Sequence, residues 1–148
     1  MVIVTGGSRG IGAATCEILL SKGYGVISLS RTEPASTDIL HVPCDLMDSD
    51  ARRAVFANLG KRDDILGLVN NAGVATPNLI EEFDHQIYAG VMDVNTTAVA
   101  ELSAAIIPSL IRNNQGRVVN ISSELILGFA TRTAYSCLLY TSPSPRDS

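Results

Sequence analysis

The opening dozen residues constrain this chain more than any other stretch. Val2-Ile3-Val4 is a β-branched run that passes at once into Thr5-Gly6-Gly7-Ser8-Arg9-Gly10-Ile11-Gly12, after which Ile11, Ala14, Ile18 and Leu19 recur at helical spacing. Strand, glycine loop and amphipathic helix follow in that order. Each spaced glycine removes a Cβ that would block the sharp turn, the approach of backbone to a ligand, or the packing of helix on strand. The N–H groups that open the helix lack intrahelical partners and suit an anion such as a pyrophosphate. A glycine-rich turn that binds nothing has the same composition, so this segment alone leaves both readings open.

The remainder alternates in the same way. Strands are expected near residues 2–5, 25–30, 39–43, 65–70 and 116–122, with helical stretches near 10–22, 48–59, 79–90 and 92–112. The strands carry apolar residues on both sides, which predicts an α/β fold: a parallel sheet, right-handed crossovers and helices on both faces. The longest helical stretch carries Val99, Leu102, Ile106 and Leu110 on one face, and Pro108 should bend it or mark its last turns. Asn113-Asn114-Gln115-Gly116 reads as its stop and the turn into the fifth strand.

Composition narrows the partners. A net charge of −4, with no lysine-arginine run, argues against a nucleic-acid surface and for a small-molecule partner. No apolar run reads as a membrane span and no signal-peptide pattern precedes the first strand, so a cytoplasmic location without membrane partners is expected. Cys16, Cys44 and Cys137 lack metal-ligand spacing and are expected as reduced, buried thiols. His41 and His85 form no constellation, and no metal site is visible.

Further motifs follow the glycine loop: Cys44-Asp45-Leu46 after the third strand, Asn70-Asn71-Ala72-Gly73 after the fourth, Asn95, Asn120-Ile121-Ser122-Ser123 ending the fifth, and Tyr135. With the spacing Thr-Gly-x-x-x-Gly-x-Gly, this ordered set resembles the short-chain dehydrogenase/reductase family over Met1 to about Ser136. The resemblance implies a Rossmann-like, doubly wound parallel sheet of order 3-2-1-4-5, here ending after the fifth strand. It implies an oxidoreductase moving a hydride between a nicotinamide cofactor and a carbonyl or alcohol, with a 3-oxoacyl thioester reductase as one candidate. It also implies a homodimer or homotetramer for the whole protein. A non-catalytic NADP-binding sensor or interaction protein on the same fold is the alternative.

Carried residue by residue, the resemblance assigns cofactor binding to Thr5, Gly6, Ser8, Arg9, Gly10, Ile11, Gly12, Arg31, Asp45, Leu46, Asn71, Ala72 and Gly73. Asp45 resembles the acid that bonds the adenine amino group. At the end of the second strand, NAD-preferring enzymes place a carboxylate for the ribose hydroxyls. Ser30 stands there, flanked by Arg31, with Arg9 in the glycine loop; two guanidinium groups suit a 2′-phosphate, so NADP(H) is the expected cofactor. Tyr135 is the candidate acid, Ser123 the hydroxyl that holds the substrate oxygen, and Asn95 resembles the asparagine that supports a water-linked relay. The commoner family spacing to the tyrosine would select Ser122, and a one-residue slip on a strand reverses a side chain's face, so the choice between the serines stays open.

A tyrosine with a pKa of about 10 needs a nearby cation to act at neutral pH. The family places a lysine four positions beyond it; here that residue is Leu139. Residues 137–148 carry two prolines and three serines, and the eleven from Cys137 to Asp147 match one reading frame of a sequencing adapter. The expected division is an incomplete NADP-binding domain over 1–136 and a non-native, unstructured tail over 137–148, which would leave the chain catalytically inactive and the fifth strand's edge open.

Overall fold

The computed structural model describes residues 1–77, 79–114, 116–123 and 132–140. Five parallel strands, β1 (Val2–Thr5), β2 (Val26–Ser30), β3 (Ile39–Pro43), β4 (Gly67–Asn70) and β5 (Arg117–Asn120), form one sheet in the order β3-β2-β1-β4-β5. The expected Rossmann-like order is the observed one. Each strand lies within two residues of its expected bounds, because short β-branched runs between glycine or polar breaks admit little slippage. Pro43, which has no N–H to give, is tolerated because β3 is an edge strand.

Alternation along the strands feeds two cores. Ile3, Ile27, Leu29 and Leu68 face α2 (Ser49–Leu59) and α4 (Ala98–Arg112), where they meet Phe56, Leu59, Leu102, Ile106 and Leu110. Val4, Val26 and Ile39 face α1 (Gly10–Ser21) through Cys16, with Leu19 and Leu20 beside them. The expected apolar stripe of α1 needs correction, since Ile11 and Ile18 are exposed. Gly12 and Cys16 are the residues of this helix buried at the contact, with Leu19 and Leu20 partly buried beside them, so that Ile11 and Ile18 turn outward.

The long helical region is one continuous helix with a defect. α3 (His85–Met92) runs into a π-helical turn, Asp93–Thr97, and then into α4, which continues through Pro108 to Arg112. This helix, His85–Arg112, has 28 residues, and its most apolar 18-residue window has a mean hydropathy of 1.4, long and apolar enough by length and composition to span a membrane, contrary to the sequence reading. Its stripe Val91, Val94, Ala98, Leu102, Ile106 and Leu110 is buried within the fold, and 28% of its most apolar window is buried in all.

A second correction concerns the tail. α5 spans Thr133–Tyr140 and packs on α3, so residues 137–140 are helical, not unstructured. Leu138 and Leu139 are good helix formers, and Leu139 is buried; the serines and prolines that oppose a helix begin only at Ser142, outside the described residues. Cys137, expected to be buried, is exposed on this helix, whereas Cys16 and Cys44 are buried. β5 is the other edge of the sheet: all four of its residues are exposed, and Val118, Val119 and Ile121 present apolar surface to solvent.

Candidate functional site

In-register pairing brings the C-terminal ends of the strands to one edge of the sheet, with Thr5 opposite Leu29, Ser30 opposite Pro43 and Asn70 opposite Asn120. The strand order reverses between β1 and β4. In open α/β sheets the crevice for a ligand lies outside the strand ends at such a reversal. A cleft of about 710 Å³ occupies that place.

The glycine loop forms its floor. Gly6 and Gly10 take φ of +68° and +56°, values that a side chain rarely permits, while a Cβ on Gly12 would strike the Gly6 carbonyl and approach the Asn71 amide nitrogen to 2.6 Å. Nothing lies within 4 Å of where a Gly10 Cβ would be, so the space over that residue is open. α1 starts at Gly10 without a side-chain cap and without an acid in its first turn. Its first N–H groups and positive dipole end are left for an anion.

Two further turns fix the loop. Thr5 Oγ1 accepts from the backbone N–H of Asn71 and of Ala72, both at 2.9 Å, and Asn71 Nδ2 donates to the Thr5 carbonyl at 2.9 Å. Asn70 Nδ2 donates to Asn120 Oδ1 at 2.8 Å, tying β4 to β5. Asn95 closes the third side: its Oδ1 accepts from Val74 N–H at 2.9 Å and its Nδ2 donates to the Val74 carbonyl at 2.8 Å. Asn95 sits in the π turn, where Ala98 N–H reaches back five residues to the Asp93 carbonyl.

Gly6, Ser8, Arg9, Gly10, Ile11, Arg31, Asp45, Leu46, Asn71, Ala72 and Gly73, eleven of the thirteen residues expected to hold the cofactor, line the cleft. Thr5 and Gly12 do not. Thr5 is buried and spends its hydroxyl on the neighbouring turn, and Gly12 packs behind the floor, so both shape the wall without facing the cleft. Ser30 is buried, hydrogen-bonded to Ser28 at 2.9 Å and donating to the Thr32 carbonyl at 2.8 Å, while Arg9 and Arg31 are exposed at the rim. Cys44 also lines the cleft, its thiol pushed up by burial and by the charge of Asp45, and it is no ready nucleophile. His41 is used structurally, with Nε2 3.0 Å from the Ser30 carbonyl. No group of three or more potential metal ligands occurs among the described residues.

Asn95, Ser123 and Tyr135 are not among the residues lining the cleft. Ser122 is exposed and Ser123 half-buried just beyond β5, and Tyr135 is half-buried in the first turn of α5, one helical turn before Leu139. Residues 124–131, which join them, lie outside the described residues.

A buried charge network beneath the cleft escaped the sequence reading. Arg52 of α2 is 1% exposed, and it donates through Nη1 and Nη2 to both oxygens of Asp93, at 2.5 and 2.9 Å. Through Nε it reaches Glu101 at 2.7 Å, and through Nη1 it also reaches the Leu46 carbonyl at 2.7 Å. Arg52 holds the carboxyls of Asp93 and Glu101 below their ordinary range, and they raise its own pKa. The available signal was positional: Arg52 stands in line with Phe56 and Leu59, on the stripe of α2 that should be apolar.

The short chain dehydrogenase family profile matches residues 1–137. The chain belongs to that family. This short-chain dehydrogenase is 30% identical over 146 residues to the 3-oxoacyl-[acyl-carrier-protein] reductase FabG of Vibrio cholerae, a match that covers 92% of this chain and 60% of that one. A dehydrogenase of Beutenbergia cavernae solved with NADP superposes with a TM-score of 0.85 at 27% identity, over 94% of this chain and 60% of that one. A 4-hydroxyisoleucine dehydrogenase solved with NADH superposes with a TM-score of 0.83 at 26% identity, over 94% and 63%. The short-chain dehydrogenase described here therefore spans about three-fifths of the length of these relatives, and both cofactor forms occur among similar structures.

Proposed function

We propose that this chain binds NADP(H) in the cleft and represents a carbonyl reductase or alcohol dehydrogenase, with 3-oxoacyl thioesters, the class named for the Vibrio cholerae relative, among the candidate substrates. The observation that carries the cofactor choice is the end of β2. Ser30 offers no carboxylate to a ribose diol and turns its hydroxyl onto the Thr32 carbonyl, leaving Arg9 and Arg31 as the charges at that rim. Free backbone N–H groups over Gly10 suit the pyrophosphate, and the exposed guanidinium groups suit a 2′-phosphate by charge-assisted bonds.

When bound, the reduced nicotinamide supplies a hydride to the carbonyl carbon. The residues of this chain would do the rest: Ser123 holds the substrate oxygen, Tyr135 delivers the proton, and Asn95 keeps the wall in place through Val74. Leu139 favours a second reading for the 148-residue chain itself. It is buried one turn from Tyr135, where the family has a lysine, and it offers no charge to favour the tyrosinate, so this chain binds cofactor without turning it over.

Fluorescence titration with NADPH and NADH tests the cofactor choice. The expected result is tighter binding of NADPH, and Arg31→Ala should weaken it by about 1–3 kcal/mol while sparing NADH. Equal affinity for both cofactors in the unmodified chain refutes this pocket.

A further inference from the structure

Arg52 lies below the cleft and is not among its lining residues, yet one of its bonds ends on Leu46, which lines the cleft, and two end on Asp93, the chain neighbour of the lining residue Val94. Its backbone N–H donates to the Asp48 carbonyl at 2.9 Å and its Nη1 to the Leu46 carbonyl at 2.7 Å, so one residue holds both ends of the turn Leu46–Asp48. That turn immediately follows Asp45. Asp45 Oδ1 accepts from Met47 N–H at 3.0 Å and the Asp45 carbonyl accepts from Asp48 N–H at 3.1 Å, so the carboxylate is oriented by the very segment that Arg52 anchors. On its far side the guanidinium grips Asp93 with two bonds, two residues before Asn95 in the π turn.

We propose that Arg52 is a positioning residue for adenine recognition: by clamping the Leu46 carbonyl to Asp93 and Glu101 it sets the orientation of Asp45 at the adenine end of the cleft. The inference rests on the cofactor reading above. The geometry requires a planar fork. Four N–H bonds leave the guanidinium in three directions, toward Leu46, Asp93 and Glu101, and a lysine ammonium would keep the charge without spanning all three. Arg53 adds an outer bond to Glu101 at 3.3 Å and pairs in turn with exposed Asp50 at 3.6 Å, and Asp93 and Glu101 keep partial access to water. A buried guanidinium with four such bonds favours one arrangement of the groups it holds.

The test compares NADPH with its hypoxanthine analogue, which lacks the adenine amino group that Asp45 would accept from. Dissociation constants are measured by fluorescence on the unmodified chain, on Arg52→Lys and on Arg31→Ala. The unmodified chain should prefer NADPH by about 10-fold, the scale of one charge-assisted hydrogen bond. Arg52→Lys should shrink that preference to within about 2-fold, whereas Arg31→Ala should leave it intact and change only the ratio of NADPH to NADH affinity. A merely structural role would lower the unfolding midpoint and weaken both ligands by one factor, keeping the preference; that result overturns the proposal. Should Arg52→Lys fail to fold, Asp93→Asn keeps the heavy-atom skeleton of the network, and it should narrow the preference by about 2–3-fold; an unchanged preference there overturns the proposal equally. An unmodified chain that binds NADPH and the analogue alike overturns the adenine role of Asp45 and of Arg52 while leaving the cofactor reading in place. One that binds neither overturns both.

Discussion

Gly10 and Gly12 stand two positions apart and meet opposite constraints. At Gly12 a methyl group would push into the Gly6 backbone and the Asn71 amide, neither of which can yield without moving β1 or the turn after β4. At Gly10 the same methyl would meet no protein atom, only the unfavourable φ of +56°. Gly12→Ala is therefore expected to cost about 1–3 kcal/mol of stability through overpacking. Gly10→Ala should cost about 1–2 kcal/mol through backbone strain, yet it should lose cofactor affinity as badly, because its methyl fills the space proposed for phosphate. Urea denaturation and NADPH titration on the two variants separate the effects. Equal destabilisation with undiminished binding in Gly10→Ala would remove the phosphate from that position. Asn95 makes the complementary point about what a sequence displays. Its place in Asp93-Val94-Asn95-Thr96 marked it as a candidate, but its two-way clasp on Val74 depends on a fold that brings together residues 21 apart.

Among the elements, α2 and the long helix are joined by charge as well as by the apolar packing of Phe56 and Leu59 on Leu102 and Ile106. Asp93 and Glu101 titrate below their ordinary values of 3.8 and 4.5, chiefly because each accepts a hydrogen bond from Arg52. The unfolded chain therefore binds more protons than the folded one in acid, and stability rises with pH in that range. The contribution is complete above pH 4.5 and disappears as pH falls through the depressed folded values. The urea midpoint should drop steeply below pH 4.5, and Arg52→Met should flatten that drop while lowering stability at pH 7, where Asp93 and Glu101 then lose the guanidinium they share. An unaltered acid slope in Arg52→Met would show that the network does not govern it. The strands were legible because parallel β-runs bounded by Gly, Asn and Pro carry their own punctuation. The π turn was not, since one extra residue in a helix leaves no compositional trace, and Arg52 was hidden because a charge on an apolar stripe reads as surface until its partners are placed.

Across the whole molecule, the motif order made the sheet order and the cleft readable in advance. What stayed unread was the boundary of the last helix: the adapter-like composition begins at Cys137, but backbone geometry follows local propensity, and α5 runs to Tyr140. That continuation puts Leu139 on the same helical face as Tyr135. In a version extended to the length of the relatives, Leu139→Lys should raise NADPH-dependent turnover of ketones and 3-oxoacyl thioesters by roughly 10²–10⁴ over the same protein with leucine. Comparable rates with and without the lysine would sink the acid-base argument and return Tyr135 to a packing role. The sheet order has one more consequence, which concerns timing. Of these five strands the first to be synthesised, Val2–Thr5, ends in the middle, between Val26–Ser30 and a strand made some sixty residues after it begins. Until Gly67–Asn70 leaves the ribosome, one side of β1 is bare and the Thr5 hydroxyl has no Asn71 or Ala72 amide to receive. The glycine loop is thus unfinished until β4 and the turn after it have been made, and a nascent chain halted before Gly67 carries the glycine motif without the amides that fix it.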